Sequence, residues 1–106
     1  MNKIYFTITG TNFRYGHDFL EKGMPVSLVK DPDNKYDKEA IKVEVPGIGK
    51  IGYVANSTHT VIGDCMSAGR LYDKIDETAE GVVLYVLSDA VVCELNQVPA
   101  EERVIG

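Results

Sequence analysis

The amino-acid sequence predicts a mainly β fold, a small and strongly bent sheet or barrel with a helix packed against it. Three observations lead there. Short runs alternate apolar and polar residues, which is the period of a strand with one buried face. Glycine and proline turns separate those runs, and one stretch alone, residues 57–68, carries helical spacing. A chain of 106 residues, 44% hydrophobic and 25% charged, has the size of one compact domain. Residues 1–98 are expected to form it, with 99–106 as a C-terminal tail.

Taken in order, residues 3–9 set Ile4, Phe6 and Ile8 against Lys3, Tyr5, Thr7 and Thr9, and Gly10 ends the run. A loop over 11–23 carries Phe13, Arg14, Tyr15, His17 and Phe19. Met24, Val26 and Leu28 restart the alternation as a second strand. Asp31-Pro32-Asp33-Asn34 is turn chemistry, because proline fixes φ and Asx side chains bond nearby backbone. In residues 40–45, Ile41, Val43 and Val45 face one way and Lys42 and Glu44 the other. Pro46, Gly47 and Gly49 then turn the chain into 50–54, the partner of a hairpin.

Residues 57–68 read as the helix. Val61, Ile62, Cys65 and Met66 share a face, Asn56 or Ser57 caps the start, and Gly69 takes the C′ position. Further on, 82–87 and 91–95 are β-rich, and 74–78 reads as a short exposed strand. The count is five or six strands and one helix, without internal repeats.

Composition excludes several functions. Net charge is −5, so binding that coats nucleic acid through bulk charge is disfavoured. Residues 1–50 hold eight Lys/Arg and seven Asp/Glu, a balance of +1; residues 51–106 hold three and nine, a balance of −6. No apolar run approaches the roughly 20 residues of a membrane span, and the N-terminus passes directly into alternation, so a soluble, cytoplasmic protein is expected. Cys65 and Cys93 stand alone in apolar surroundings and read as small core residues rather than as a disulfide. Neither His17 nor His59 has a nucleophile at motif spacing, and no phosphate-binding or dinucleotide fingerprint occurs. A calcium loop starting at Asp31 fails, because Lys35, Tyr36 and Lys42 occupy positions that need a ligand, a glycine and a bidentate carboxylate. No enzyme activity, cofactor or metal is expected.

What remains is a constellation: Phe13 in the first loop, Asn34, Tyr36 and Asp37 before the third strand, and Tyr53 after the hairpin turn. The order "ITGTNFRYG", "GMPVSLVKDPDNKYDKEAIKV", "GKIGYV" resembles the HIRAN domain. That family's pattern is a glycine-x-x-aromatic loop, an acidic-Pro-x-Asn-x-Tyr-Asp-x-x-Ala-Ile-x-Val segment and an Ile-Gly-Tyr-Val strand. The resemblance runs strongly over residues 4–54 and loosely to about 95. It implies an OB-like six-stranded β-barrel with one or two helices, found in DNA-repair helicases and as a free-standing bacterial protein.

For characterised eukaryotic members the resemblance implies capture of the free 3′ end of single-stranded DNA. Tyr36 then matches the tyrosine that stacks on terminal bases and Asp37 the aspartate that accepts from the 3′-hydroxyl. Asn34 belongs to the same loop, Phe13 falls at an aromatic position and Tyr53 at the far wall. Asn12 and Arg14 flank that aromatic, where the family has an arginine just before it, and Asn56 stands where a phosphate-contacting lysine is expected.

Elementary chemistry agrees with this reading. An aromatic face stacks any base for about 1–3 kcal/mol, and a carboxylate accepts only from a donor. A hydroxyl end fits such a pair and a phosphate end is repelled. With Arg14, Lys35 and Lys50 as the nearby cations, affinity is expected to be weak and salt-sensitive. The competing expectation, from the −6 balance of residues 51–106, is an acidic interaction barrel that has lost DNA affinity and takes a basic protein partner.

Overall fold

The computed structural model describes residues 3–9, 20–57, 59–87 and 90–96. Six strands close into a barrel: β1 (Tyr5–Thr9), β2 (Pro25–Lys30), β3 (Ile41–Val45), β4 (Gly49–Val54), β5 (Thr78–Val86) and β6 (Val91–Leu95). Their order around the ring is β1-β4-β3-β2-β5-β6, every pairing is antiparallel, and β6 returns to β1. Closure removes the open edges that a flat sheet would expose. The mainly β barrel expected from the sequence is what forms.

Alternation decides what lies inside. Phe6 and Ile8, Val26 and Leu28, Ile41, Val43 and Val45, and Val83 and Cys93 are all buried in one cluster. Register stacks them across strands, with Leu28 opposite both Val43 and Ala79, and Cys93 opposite both Phe6 and Val83. Gly81 is a glycine for lack of space: a Cβ there would lie 2.9 Å from the Glu94 carbonyl oxygen and 2.9 Å from the Phe6 ring. The β3–β4 hairpin needs its glycines for a different reason, since Gly47 and Gly49 have φ of 85° and 98°.

The one helix among the described residues is α1 (Ala68–Tyr72), which drops Ala68 and Leu71 onto the core. Ser67 is its N-cap, its side chain accepting from the Arg70 N–H at 3.4 Å. The helix expected over 57–68 is therefore a correction: among its described residues the chain makes successive turns, and Gly69 lies within α1 instead of ending a helix. Two causes compete with helix formation. Thr60, Val61 and Ile62 are β-branched, which weakens helical preference. In addition the segment is tied to β1: the Ile62 N–H donates to Thr7 Oγ1 at 3.2 Å and the Met66 N–H to the Tyr5 carbonyl at 2.7 Å. Gly63, at φ 54°, breaks the run between those ties.

A second correction concerns residues 74–78. Only Thr78 is strand, and it opens β5, whose first half pairs with β2 and whose second half pairs with β6. The inward positions of that first half are Ala79 and Gly81, too small to announce a strand by hydrophobic alternation. No helix among the described residues is long and apolar enough to cross a membrane. The tail expected over 99–106 lies outside the described residues.

Candidate functional site

The loop between β2 and β3 is organised by one side chain. Asn34 Oδ1 accepts from the Tyr36 N–H at 2.9 Å and the Asp37 N–H at 3.0 Å, while its Nδ2 donates to Asp31 Oδ2 at 3.3 Å. Such Asx bonding replaces the backbone partners that a helix or sheet would supply. The Asp31 N–H donates to the Ala40 carbonyl at 2.8 Å and closes the base of the loop. Asn34 thus shapes the turn through three of its hydrogen bonds.

The turn throws Tyr36 outward. Tyr36 is 95% exposed, an unusual position for the largest side chain of its loop. Asp37 beside it is half-buried. Its Oδ1 accepts from the Glu39 N–H at 2.9 Å and its Oδ2 from Asn56 Nδ2 at 2.8 Å. A carboxylate oxygen accepts two hydrogen bonds, so each retains a free lone pair among the described residues.

β4 supplies the opposite wall. Tyr53, paired with Thr9 and Lys42, puts its hydroxyl 3.5 Å from Asp31 Oδ2, to which it donates, and 3.4 Å from Lys50 Nζ, from which it accepts. Both contacts are long and weak. Lys50 Nζ also stands 4.9 Å from the Tyr53 ring centroid, so the ammonium is held against the aromatic face. Asn34, Tyr36, Asp37, Ala40, Tyr53 and Val54 enclose a cleft of about 250 Å³.

Five of the residues singled out in the sequence, Asn34, Tyr36, Asp37, Tyr53 and Asn56, are therefore brought together. Asn12, Phe13 and Arg14 lie outside the described residues. Asn56 does not cap a helix over 57–68; its Oδ1 accepts instead from the Gly69 N–H at 2.7 Å, a free donor in the first turn of α1, which ties the end of β4 to that helix. Gly69 and Asp31 are the members that sequence reasoning missed. Gly69 acts through its backbone N–H across 13 positions, and nothing local signals that.

A larger groove, about 400 Å³, opens outside β5 and β6 between Tyr5, Ile62, Cys65, Leu84, Tyr85 and Leu87. Asp64 is the charged side chain in its lining, so it offers no cation to a phosphate. Among the described residues no three His, Cys, Asp or Glu side chains gather as a metal site would require.

On a closed six-stranded barrel, one loop thus carries an exposed aromatic ring beside a carboxylate that, among the described residues, keeps acceptor capacity. The HIRAN domain family model matches residues 1–95, and the chain belongs to that family of DNA-binding domains. The domain is a binding unit, not itself catalytic. Among solved structures the chain is similar to the crystal structure of the HIRAN domain of human HLTF, with a TM-score of 0.65 and 22% identity. The match covers 89% of this chain and 73% of that one, and at this identity it concerns the fold. No curated protein matches the sequence.

Proposed function

We propose that this chain is a non-enzymatic module that binds single-stranded DNA at its free 3′-hydroxyl end and serves the repair or processing of DNA ends. One observation carries the reading: the 95% exposed Tyr36 stands next to a carboxylate whose oxygens, among the described residues, each keep a lone pair. The ring offers a stacking platform for a terminal base whatever its identity. Asp37 accepts a hydrogen bond from a terminal hydroxyl and repels a terminal phosphate, which brings like charge and no donor. Asn34 fixes the spacing of the two, and Tyr53 closes the far side. Phe13, with Asn12 and Arg14, belongs to the same interface in this reading.

Fluorescence anisotropy at low salt, with oligonucleotides of one sequence ending in a 3′-hydroxyl or a 3′-phosphate, tests the proposal. The hydroxyl end is expected to bind about tenfold tighter or more, the size of one hydrogen bond to a charged group. Equal affinities, or no binding of either strand, would overturn it.

A further inference from the structure

Asn56 gives the end-reading site a second polar group. The Gly69 N–H can be met only by an oxygen, so the Asn56 amide is oriented with Oδ1 toward Gly69 and Nδ2 toward Asp37. Any other orientation sets donor against donor and acceptor against acceptor. Nδ2 carries two hydrogens, and one of them binds Asp37 Oδ2 at 2.8 Å. The second has no partner among the described residues, and Asn56 is exposed. Asp37 and Asn56 therefore present a free acceptor and a free donor side by side at the edge of the cleft, both fixed before any ligand arrives.

That pairing is complementary to two adjacent hydroxyls. A lone 3′-hydroxyl satisfies the acceptor alone, whereas a terminal ribose has a 2′-hydroxyl next to it whose oxygen accepts from Asn56. With this site having few cations to hold phosphates, contacts to the last sugar decide more of the affinity than they would in a basic groove. Building on the end-binding reading above, we propose that Asp37 and Asn56 together take the vicinal 2′,3′-diol of a terminal ribonucleotide, so that a strand ending in ribose is preferred over the same strand ending in deoxyribose. Asn56 is then a specificity-determining residue.

The test uses the intact chain and three DNA oligonucleotides identical except in the last sugar: 2′-deoxyribose, ribose, and 3′-deoxyribose, which keeps the 2′-hydroxyl alone. The ribose end is expected to bind about fivefold tighter than the deoxyribose end, the gain of one ordinary hydrogen bond. In Asn56→Ala that gap closes. Asn56→Leu, which keeps the side chain's approximate shape and removes the donor without setting a second carboxylate against Asp37, closes it too, so the result does not hang on one variant's folding. Equal binding of ribose and deoxyribose ends by the wild type overturns the inference and leaves 3′-hydroxyl capture standing, provided the 3′-deoxy strand binds more weakly than both. A gap that persists unchanged in both variants overturns it as well. If the 3′-deoxy strand binds as tightly as the others, the end-binding reading falls with it.

Discussion

Tyr36 and Asp37 are neighbours to which the proposed function gives different duties, and single substitutions separate them. Tyr36 is 95% exposed, so Tyr36→Ala is expected to leave stability within about 0.5 kcal/mol of wild type. Its binding to a 3′-hydroxyl oligonucleotide should weaken by about 1–3 kcal/mol, the worth of one stacked base. Asp37→Ala should instead erase the distinction between hydroxyl and phosphate ends, because it removes the acceptor and the repelling charge together. Anisotropy titrations of both variants beside thermal melts check this pair; a Tyr36→Ala protein that melts far lower would mean the ring is structural after all. The residue types of this loop were legible in the sequence because turn chemistry is local: Asn34 acts on positions 36 and 37. The Asn56 bridge was not, since its partners Asp37 and Gly69 are 19 and 13 positions away.

At the scale of the element, the segment after β4 shows where periodicity misleads. Val61, Ile62, Cys65 and Met66 have helical spacing, yet their backbone is claimed by β1, through Thr7 Oγ1 and the Tyr5 carbonyl. Thr7 is fully buried, and its hydroxyl is the partner of the Ile62 N–H. Thr7→Val keeps the volume and deletes that acceptor, which should destabilise the protein by about 1–3 kcal/mol, nearer the lower end because Ile62 is half-buried. Urea denaturation measures it; an unchanged midpoint would show that the tie to β1 carries no weight. Strands β1 to β3 were readable from their alternation, β4 from the hairpin turn before it and β6 from its β-rich run, each to within a residue or two. The start of β5 was not, because its inward residues are Ala79 and Gly81, and at Gly81 the Phe6 ring and the β6 backbone leave no room for a side chain.

For the whole molecule, burial leaves a titration signature. Desolvation in the barrel pushes the Cys93 thiol up from the ordinary 9.0 to about 12, with Cys65 adding a smaller push in the same direction. The native state thus keeps a proton that the unfolded chain releases near pH 9. Stability attributable to this group is complete below pH 9 and falls as pH rises from 9 toward 12, by roughly a tenfold change in the folding equilibrium per pH unit. Denaturation curves at pH 8, 9.5 and 10.5 should show the decline, and Cys93→Ala, weaker at pH 8 because of the cavity it leaves, should decline less steeply. Parallel declines in the two proteins would contradict the assignment.

The barrel also places the loop of Asn34, Tyr36 and Asp37 at the β2–β3 connection, held on one side by β4 and on the other by the link from Asn56 to α1. The most direct measurement of what that arrangement does is a nuclear magnetic resonance titration of the isotopically labelled chain with a short single strand bearing a 3′-hydroxyl. The largest shifts are expected at the Tyr36 and Asp37 amides, the Tyr53 ring and the Asn56 side-chain amide, and they should shrink when the strand ends in phosphate. Shifts centred instead on Leu84, Tyr85 and Leu87, or indifferent to the end group, would contradict the account.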